Sequence, residues 1–390
     1  MEKSNERIVW VDWMRVIACF LVMVVHSTEP FYLGGDGSQI LTRADMFWAS
    51  FFDSFARACV PLFVVASSYL QFPLHYSTGE FFRRRLVRIL IPFIFWTVVY
   101  ALVWGSPVQN FKDLLLNFNY AAGHLWFVYM ILGVYLLMPL LSPWAEKVGR
   151  KELLVYLLIC FATTFLPYIR EAAIGEGATV IYGPGGLPNQ AKFPLWGEAS
   201  WNGYGILYYV SGFIGYLLLG LYLRRFGGKW SGRKAVLVAV PVWICGFALC
   251  FLGFIRRVLA DCGDQFPVGG PVSLAVGWET PWFNDTPGVA LMTLGWILLF
   301  SRIRCSGKFY TRVLLPVSKA SYGMYLCHML VLSAFAGLWR STLGIGTGGS
   351  LGIWTTPCEI LLTAVCSYVC VALACVLGQK LPKLGKYVFG

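Results

Sequence analysis

Arg15 and His26 lie eleven residues apart in the first apolar stretch of the chain. An arginine can grip phosphate oxygens bidentately, and a histidine can move a proton near neutral pH. Eleven residues are close to three helical turns, so a helix shows both side chains on one face, about 16 Å apart. Asp12, Cys19 and Glu29 fall on the same stripe. Ionisable groups inside an apolar run are costly, and they mark either function or a buried pair.

Three more places carry such groups. Asp53 and Arg57 have the i, i+4 spacing of a helical ion pair. Asp53 also falls at the depth expected for His26 and could orient its imidazole, while Arg57 falls near the membrane midplane. The run Phe81-Phe-Arg-Arg-Arg-Leu-Val-Arg88 presents four guanidinium groups, Arg83, Arg84, Arg85 and Arg88, suited either to phosphates or to fixing topology against anionic lipid heads. The stretch Ser318-Lys-Ala-Ser-Tyr-Gly-Met-Tyr-Leu-Cys-His328 brings His328 to the expected level of His26, and His124 opens another apolar run. Three of the four histidines are thus expected to gather, with His75 apart from them. Loops at 170–202 and 255–285 are rich in Gly, Pro and aromatics, and Trp196 and Trp201 could floor a sugar site or belong to an interfacial belt.

The elements that must position these groups are membrane helices. Hydrophobic residues form 58% of the 390 positions and charged ones 13%, a balance a water-soluble surface cannot accommodate. Apolar runs near 9–33, 46–72, 87–104, 124–144, 152–169, 203–223, 235–254, 286–301, 313–339 and 357–379 predict an all-α polytopic fold, a single bundle of about ten transmembrane helices forming one domain over residues 1–390. The net charge of +12 is unevenly placed. Every second connection is basic, from Lys3 and Arg7 through Lys147, Arg150 and Lys151 to Lys380, Lys383 and Lys386. The positive-inside rule therefore predicts both termini in the cytoplasm and an even number of spans. The basic excess reads as topology, and no nucleic-acid partner is expected. No cleavable signal peptide is expected, because Glu2, Lys3, Glu6 and Arg7 lead straight into the first span. Most of the 12 cysteines fall within spans, which argues against a disulfide framework, and no metal site is expected.

These residues resemble a known family. Val11-Asp-Trp-Met-Arg15, followed after ten residues by His26, resembles the opening of membrane acyltransferase family 3. Arg85-Leu-Val-Arg88 before Pro92 and Trp96 is similar to its cytoplasmic Arg-x-x-Arg element. His124-Leu-Trp-Phe127, with Tyr135 and Pro139, and Ser321-Tyr-Gly-Met-Tyr-Leu-Cys-His328 resemble its later landmarks. The chain departs from the pattern at Ser67-Ser68, where the family often has Ser-Gly, and at Gln379-Lys-Leu-Pro382, where it often has Glu-x-Pro. The resemblance implies transfer of an acyl group, usually acetyl from cytoplasmic acetyl-CoA, to a hydroxyl of an extracytoplasmic glycan or lipid-linked sugar. A bacterial cytoplasmic membrane is the implied location, and an oligomer is compatible with it.

With that implication, Arg83, Arg84, Arg85 and Arg88 are expected to hold the CoA phosphates, with Arg15 along the pantetheine path. His26 is expected to act as general base. Arg57, Tyr322 or His328 would stabilise the oxyanion, and His124, Trp126, Tyr322 and Trp196 would face the acceptor. A route through an acyl-His26 or acyl-Cys19 is an alternative. The competing classes are a transporter or flippase without acyl chemistry, and a sensor that binds acyl-CoA or lipid without turnover.

Overall fold

A computed structural model describes residues 8–34, 37–113, 122–174, 205–227, 232–344, 351–382 and 385–390. Trp196 and Trp201 lie outside the described residues. The chain opens with α1 (Val9–Thr28), which is buried along almost its whole length. A short 3-10 turn leads to β1 (Leu33–Gly34) and β2 (Gly37–Ile40). Helix α2 (Arg43–Ala56) starts on Thr42, whose hydroxyl accepts from the Asp45 amide at 3.1 Å. That bond satisfies one of the donors a helix start leaves unpaired. Arg57 and Ala58 form a turn, and α3 (Cys59–Gln71) completes the second span. The expected continuous helix over 46–72 is therefore broken at Arg57.

Helix α4 (Thr78–Val103) is capped by Ser77 and carries Pro92 inside it. It is followed by α5 (Pro107–Asp113), α6 (Trp126–Lys147), α7 (Arg150–Thr163), α8 (Leu166–Ile174) and α9 (Ile214–Phe226). Helix α10 (Gly232–Cys262) runs well beyond the predicted 254, and β3 (Val268–Pro271) then pairs antiparallel with β2, giving a three-stranded sheet in the order β1-β2-β3. The remaining helices are α11 (Val272–Trp278), α12 (Pro287–Phe300), α13 (Leu315–Leu343), α14 (Thr355–Gly378) and α15 (Gly385–Val388).

Eight helical segments among the described residues are long and apolar enough to cross a membrane. The segments expected at 152–169 and 286–301 are also helical but shorter: α7 and α8 are separated near Thr164–Phe165, and α12 has 14 residues. The chain is an all-α polytopic protein apart from its small sheet.

Helix α1 is the axis of the bundle, packed against α2, α3, α13 and α14. Met14, Ala18, Cys19 and Met23 are all buried there. Helices α10 and α12 form a close pair in which a Cβ on Gly246 would meet the Gly288 carbonyl. Helix α9 approaches α3 as closely: a Cβ on Gly220 would meet Ser68, whose hydroxyl donates to the Leu217 carbonyl at 2.5 Å. The extra side chain of Ser67-Ser68 relative to Ser-Gly is thus absorbed by a glycine on the facing helix. Such small-residue contacts hold membrane helices where no hydrophobic force distinguishes helix from lipid. The outward faces are apolar, with Ile94, Val98 and Leu102 on α4, Leu237, Ile244 and Leu252 on α10, and Leu362, Val369 and Leu373 on α14 all exposed. That is the pattern of lipid contact.

Candidate active site

Polar side chains tie α1 to α13 along the inside of the bundle. Asp12 accepts from Ser318 Oγ at 2.5 Å and from the Tyr310 hydroxyl at 2.7 Å. One turn on, Arg15 donates to Ser321 Oγ at 2.9 Å. The polar run Ser318–Ser321 thereby sets the level of Arg15. Further along the same two helices, His26 faces His328 with ring centroids 5.1 Å apart. His124, at the entry to α6, completes a triangle at 5.2 Å from His328 and 6.5 Å from His26. The predicted gathering of three histidines is found, and His75 sits apart, against Arg224 at 3.1 Å.

The three imidazoles are not equivalent. His26 Nδ1 lies 2.7 Å from Glu29 Oε1, a contact that in the neutral ring favours the proton on Nδ1 and leaves the lone pair on Nε2. His328 Nδ1 donates to the Tyr325 carbonyl at 2.5 Å, and its Nε2 is buried without a partner. His26 lines a cavity and His328 does not. Among the described residues no group of three or more His, Cys, Asp or Glu side chains has metal-holding geometry.

The cavity has a volume of about 890 Å³ and runs the distance that separates Arg15 from His26. Arg15, Arg85, Arg88, Lys319 and Gln379 line one end; His26, Glu29, Arg57, His124, Glu279 and Asn284 line the other. Val60, Phe63, Phe127 and Ile131 form apolar wall between them. A model of an acyltransferase domain, that of acyltransferase family 3, matches residues 8–377. The chain belongs to this family. No curated protein and no solved structure matches it. It is an integral, multi-pass membrane acyltransferase.

In this acyltransferase the arginine run divides by helical phase. Arg85, Arg88 and Ile89 share the cavity face of α4 at i, i+3 and i+4. Arg83 and Arg84 lie about 200° and 100° round the helix from Arg85 and do not line it. Arg84 instead pairs with Glu80 at 2.5 Å and lies over the Tyr76 ring. Tyr322 lines the cavity near the Arg15 level and donates to the Ile89 carbonyl at 2.8 Å. Trp126 lines it too, half exposed.

Asp53 and Arg57 do pair, with Arg57 Nη2 at 3.0 Å from Asp53 Oδ2 and a second contact from Arg57 Nε. Asp53 is fully buried and also accepts from Thr28 Oγ1 at 2.7 Å. It makes no hydrogen bond to His26: Arg57 and Thr28 take up its oxygens, and Glu29, one turn beyond the histidine on the same chain, meets the imidazole instead. Arg57, at the turn between α2 and α3, lines the cavity, over the Trp282 ring at 4.8 Å and 4.0 Å from Glu279. Trp282 is held by its bond to Ser54 Oγ at 2.8 Å and by stacking on Phe254 at 4.0 Å. Burial pushes the Glu279 carboxyl above its ordinary range, opposed by the Arg57 guanidinium.

Sequence reasoning left Glu29 without a role, although its i+3 spacing from His26 was available. It also passed over Lys319 in a stretch already singled out. Glu279 and Trp282 carried no local signal. The dyad predicts that Glu29→Gln, which keeps a hydrogen-bond acceptor but removes the charge, lowers kcat about tenfold, part of the 10²- to 10⁴-fold a positioned base contributes. The donor KM should stay unchanged, and a KM rise with unaltered kcat would contradict the orienting role.

Proposed function

We propose that the protein transfers an acyl group, acetyl from cytoplasmic acetyl-CoA, across the bilayer to a hydroxyl of an extracytoplasmic glycan or lipid-linked sugar. The carrying observation is the continuous cavity, which joins Arg85 and Arg88 at one end to the His26–Glu29 dyad at the other. In this reading the bundle has ten crossings with both termini inside, in a bacterial cytoplasmic membrane, and the arginine end faces the cytoplasm. Arg85 and Arg88 hold the donor phosphates, Lys319 adds a further cation, and the pantetheine arm rises past Arg15 along the apolar wall.

The acceptor hydroxyl attacks the thioester carbonyl while His26 Nε2 takes its proton. The tetrahedral intermediate collapses with cleavage of the carbon–sulfur bond, and the departing thiolate receives that proton as CoA-SH. Three residues were in contention for the oxyanion. Tyr322 already donates to Ile89, and His328 turns its N–H to Tyr325 and its lone pair inward. Arg57 has guanidinium N–H groups beyond those that meet Asp53, and it lines the cavity beside His26, which favours it as the donor. His124 and Trp126 border the acceptor side.

The test on the donor side is the double variant Arg85→Ala/Arg88→Ala. Loss of two charge-assisted phosphate contacts, each about 1.5–3 kcal/mol, predicts acetyl-CoA affinity weaker by at least about 10²-fold. Binding to the purified protein in nanodiscs measures it, and unchanged affinity would return these arginines to a topological role.

A further inference from the structure

We infer that Glu279, at the His26 end of the cavity, is a specificity-determining residue that disfavours acyl groups bearing a second carboxylate. This rests on the donor reading above. Among the described residues the carboxylates that line the cavity are Glu29 and Glu279, and both lie at this end. The arginine lining it here, Arg57, is bound to the fully buried Asp53 through two nitrogens and also faces Glu279 at 4.0 Å, one cation between two carboxylates. The other end gathers Arg15, Arg85, Arg88 and Lys319. The cavity is therefore electrically polarised along its length, basic where the donor phosphates bind and acidic where the acyl group arrives.

A thioester seated with its phosphates on Arg85 and Arg88 and its carbonyl at His26 directs the acyl chain into the acidic end. A short uncharged chain meets only Val60, Phe63 and the imidazole wall. A dicarboxylic acyl chain brings its free carboxylate against Glu29 and Glu279 in surroundings that screen charge poorly. Glu29 is committed to His26, whereas Glu279 arrives from the segment between α11 and α12 and faces Arg57. The groups that face it are Arg57 and Asp53 from the second span and Tyr32 and Glu29 from the first.

Butyryl-CoA and succinyl-CoA separate charge from size, since their acyl chains match in length and differ in the terminal carboxylate. Dissociation constants for both, and for acetyl-CoA, are measured on the full-length protein in nanodiscs at about pH 8, where succinyl-CoA should bind at least about tenfold more weakly than butyryl-CoA. Glu279→Gln should bring the two constants together. Equal affinities for the two, with acetyl-CoA bound normally, overturn the inference alone, and an unchanged ratio in Glu279→Gln removes that residue from it. Failure of all three thioesters to bind overturns the donor reading instead. Should the variant not fold, the succinyl-to-butyryl ratio on the unaltered protein still decides whether the acyl end disfavours a second carboxylate.

Discussion

Alanine at His26 should lower acyl transfer by about 10²- to 10⁴-fold, the contribution of a positioned general base, and leave acetyl-CoA affinity where it was. The expectation follows from the asymmetry of the histidine cluster. Only His26 pairs a carboxylate on Nδ1 with a lone pair open to the cavity. His328 cannot take over, because it is fully buried and outside the cavity lining. The substitution removes a partly exposed ring at a cavity wall, so folding should survive it. The measurement is acyl transfer in vesicles beside donor binding by the same preparation. Full transfer by His26→Ala would place the base elsewhere and sink the mechanism, whereas loss of binding as well would mean that the ring shapes the donor path.

The parts of the site that were legible beforehand are those carried on a single helix. Arg15 and His26 share α1, where the helical period converts sequence distance directly into distance along a face. The Asp53–Arg57 pair was readable for the same reason. What could not be read was the turn at Arg57–Ala58, since no glycine or proline falls at those two positions. The partner of His26 was misjudged because depth alone pointed to Asp53. Depth does not register that Arg57 and Thr28 hold Asp53 already. Contacts between distant segments were the least accessible. Glu279 and Trp282 follow α11 in what reads as an aromatic outer loop, and only packing of that segment over the second span brings them to Arg57. The split of α7 from α8 lay equally out of reach, because hydropathy averages across an interruption as short as Thr164–Phe165.

Cavity position also separates residues that composition treats alike. Four arginines between 83 and 88 look equivalent as a charge run, but helical phase sends two to the cavity and leaves two outside it. The same chain thus carries topology and donor recognition within one turn and a half of α4. Arg83→Ala/Arg84→Ala should accordingly leave acetyl-CoA affinity unaltered under conditions where the Arg85/Arg88 pair matters.

The second large effect is expected at Asp53. Its replacement by alanine leaves the Arg57 guanidinium without its principal partner inside the membrane domain, and stranding one member of a buried pair costs about 3–5 kcal/mol. Tyr32 at 3.4 Å and Glu279 at 4.0 Å still face the guanidinium, which places the expected loss toward the lower figure. The folded fraction in detergent on heating should fall accordingly. Structural and chemical roles of Arg57 then separate in the double variant Asp53→Ala/Arg57→Met. An apolar chain of similar length removes the stranded charge, so the folded fraction should recover, because replacing a whole buried pair by apolar residues is often neutral or stabilising. Transfer should not recover, because the donor aimed at the developing oxyanion is gone, an interaction whose loss costs about 10²- to 10³-fold in kcat. A double variant that folds and also transfers would reduce Arg57 to the counter-ion of Asp53, and one that stays unfolded would show that the pair holds the broken second span in place.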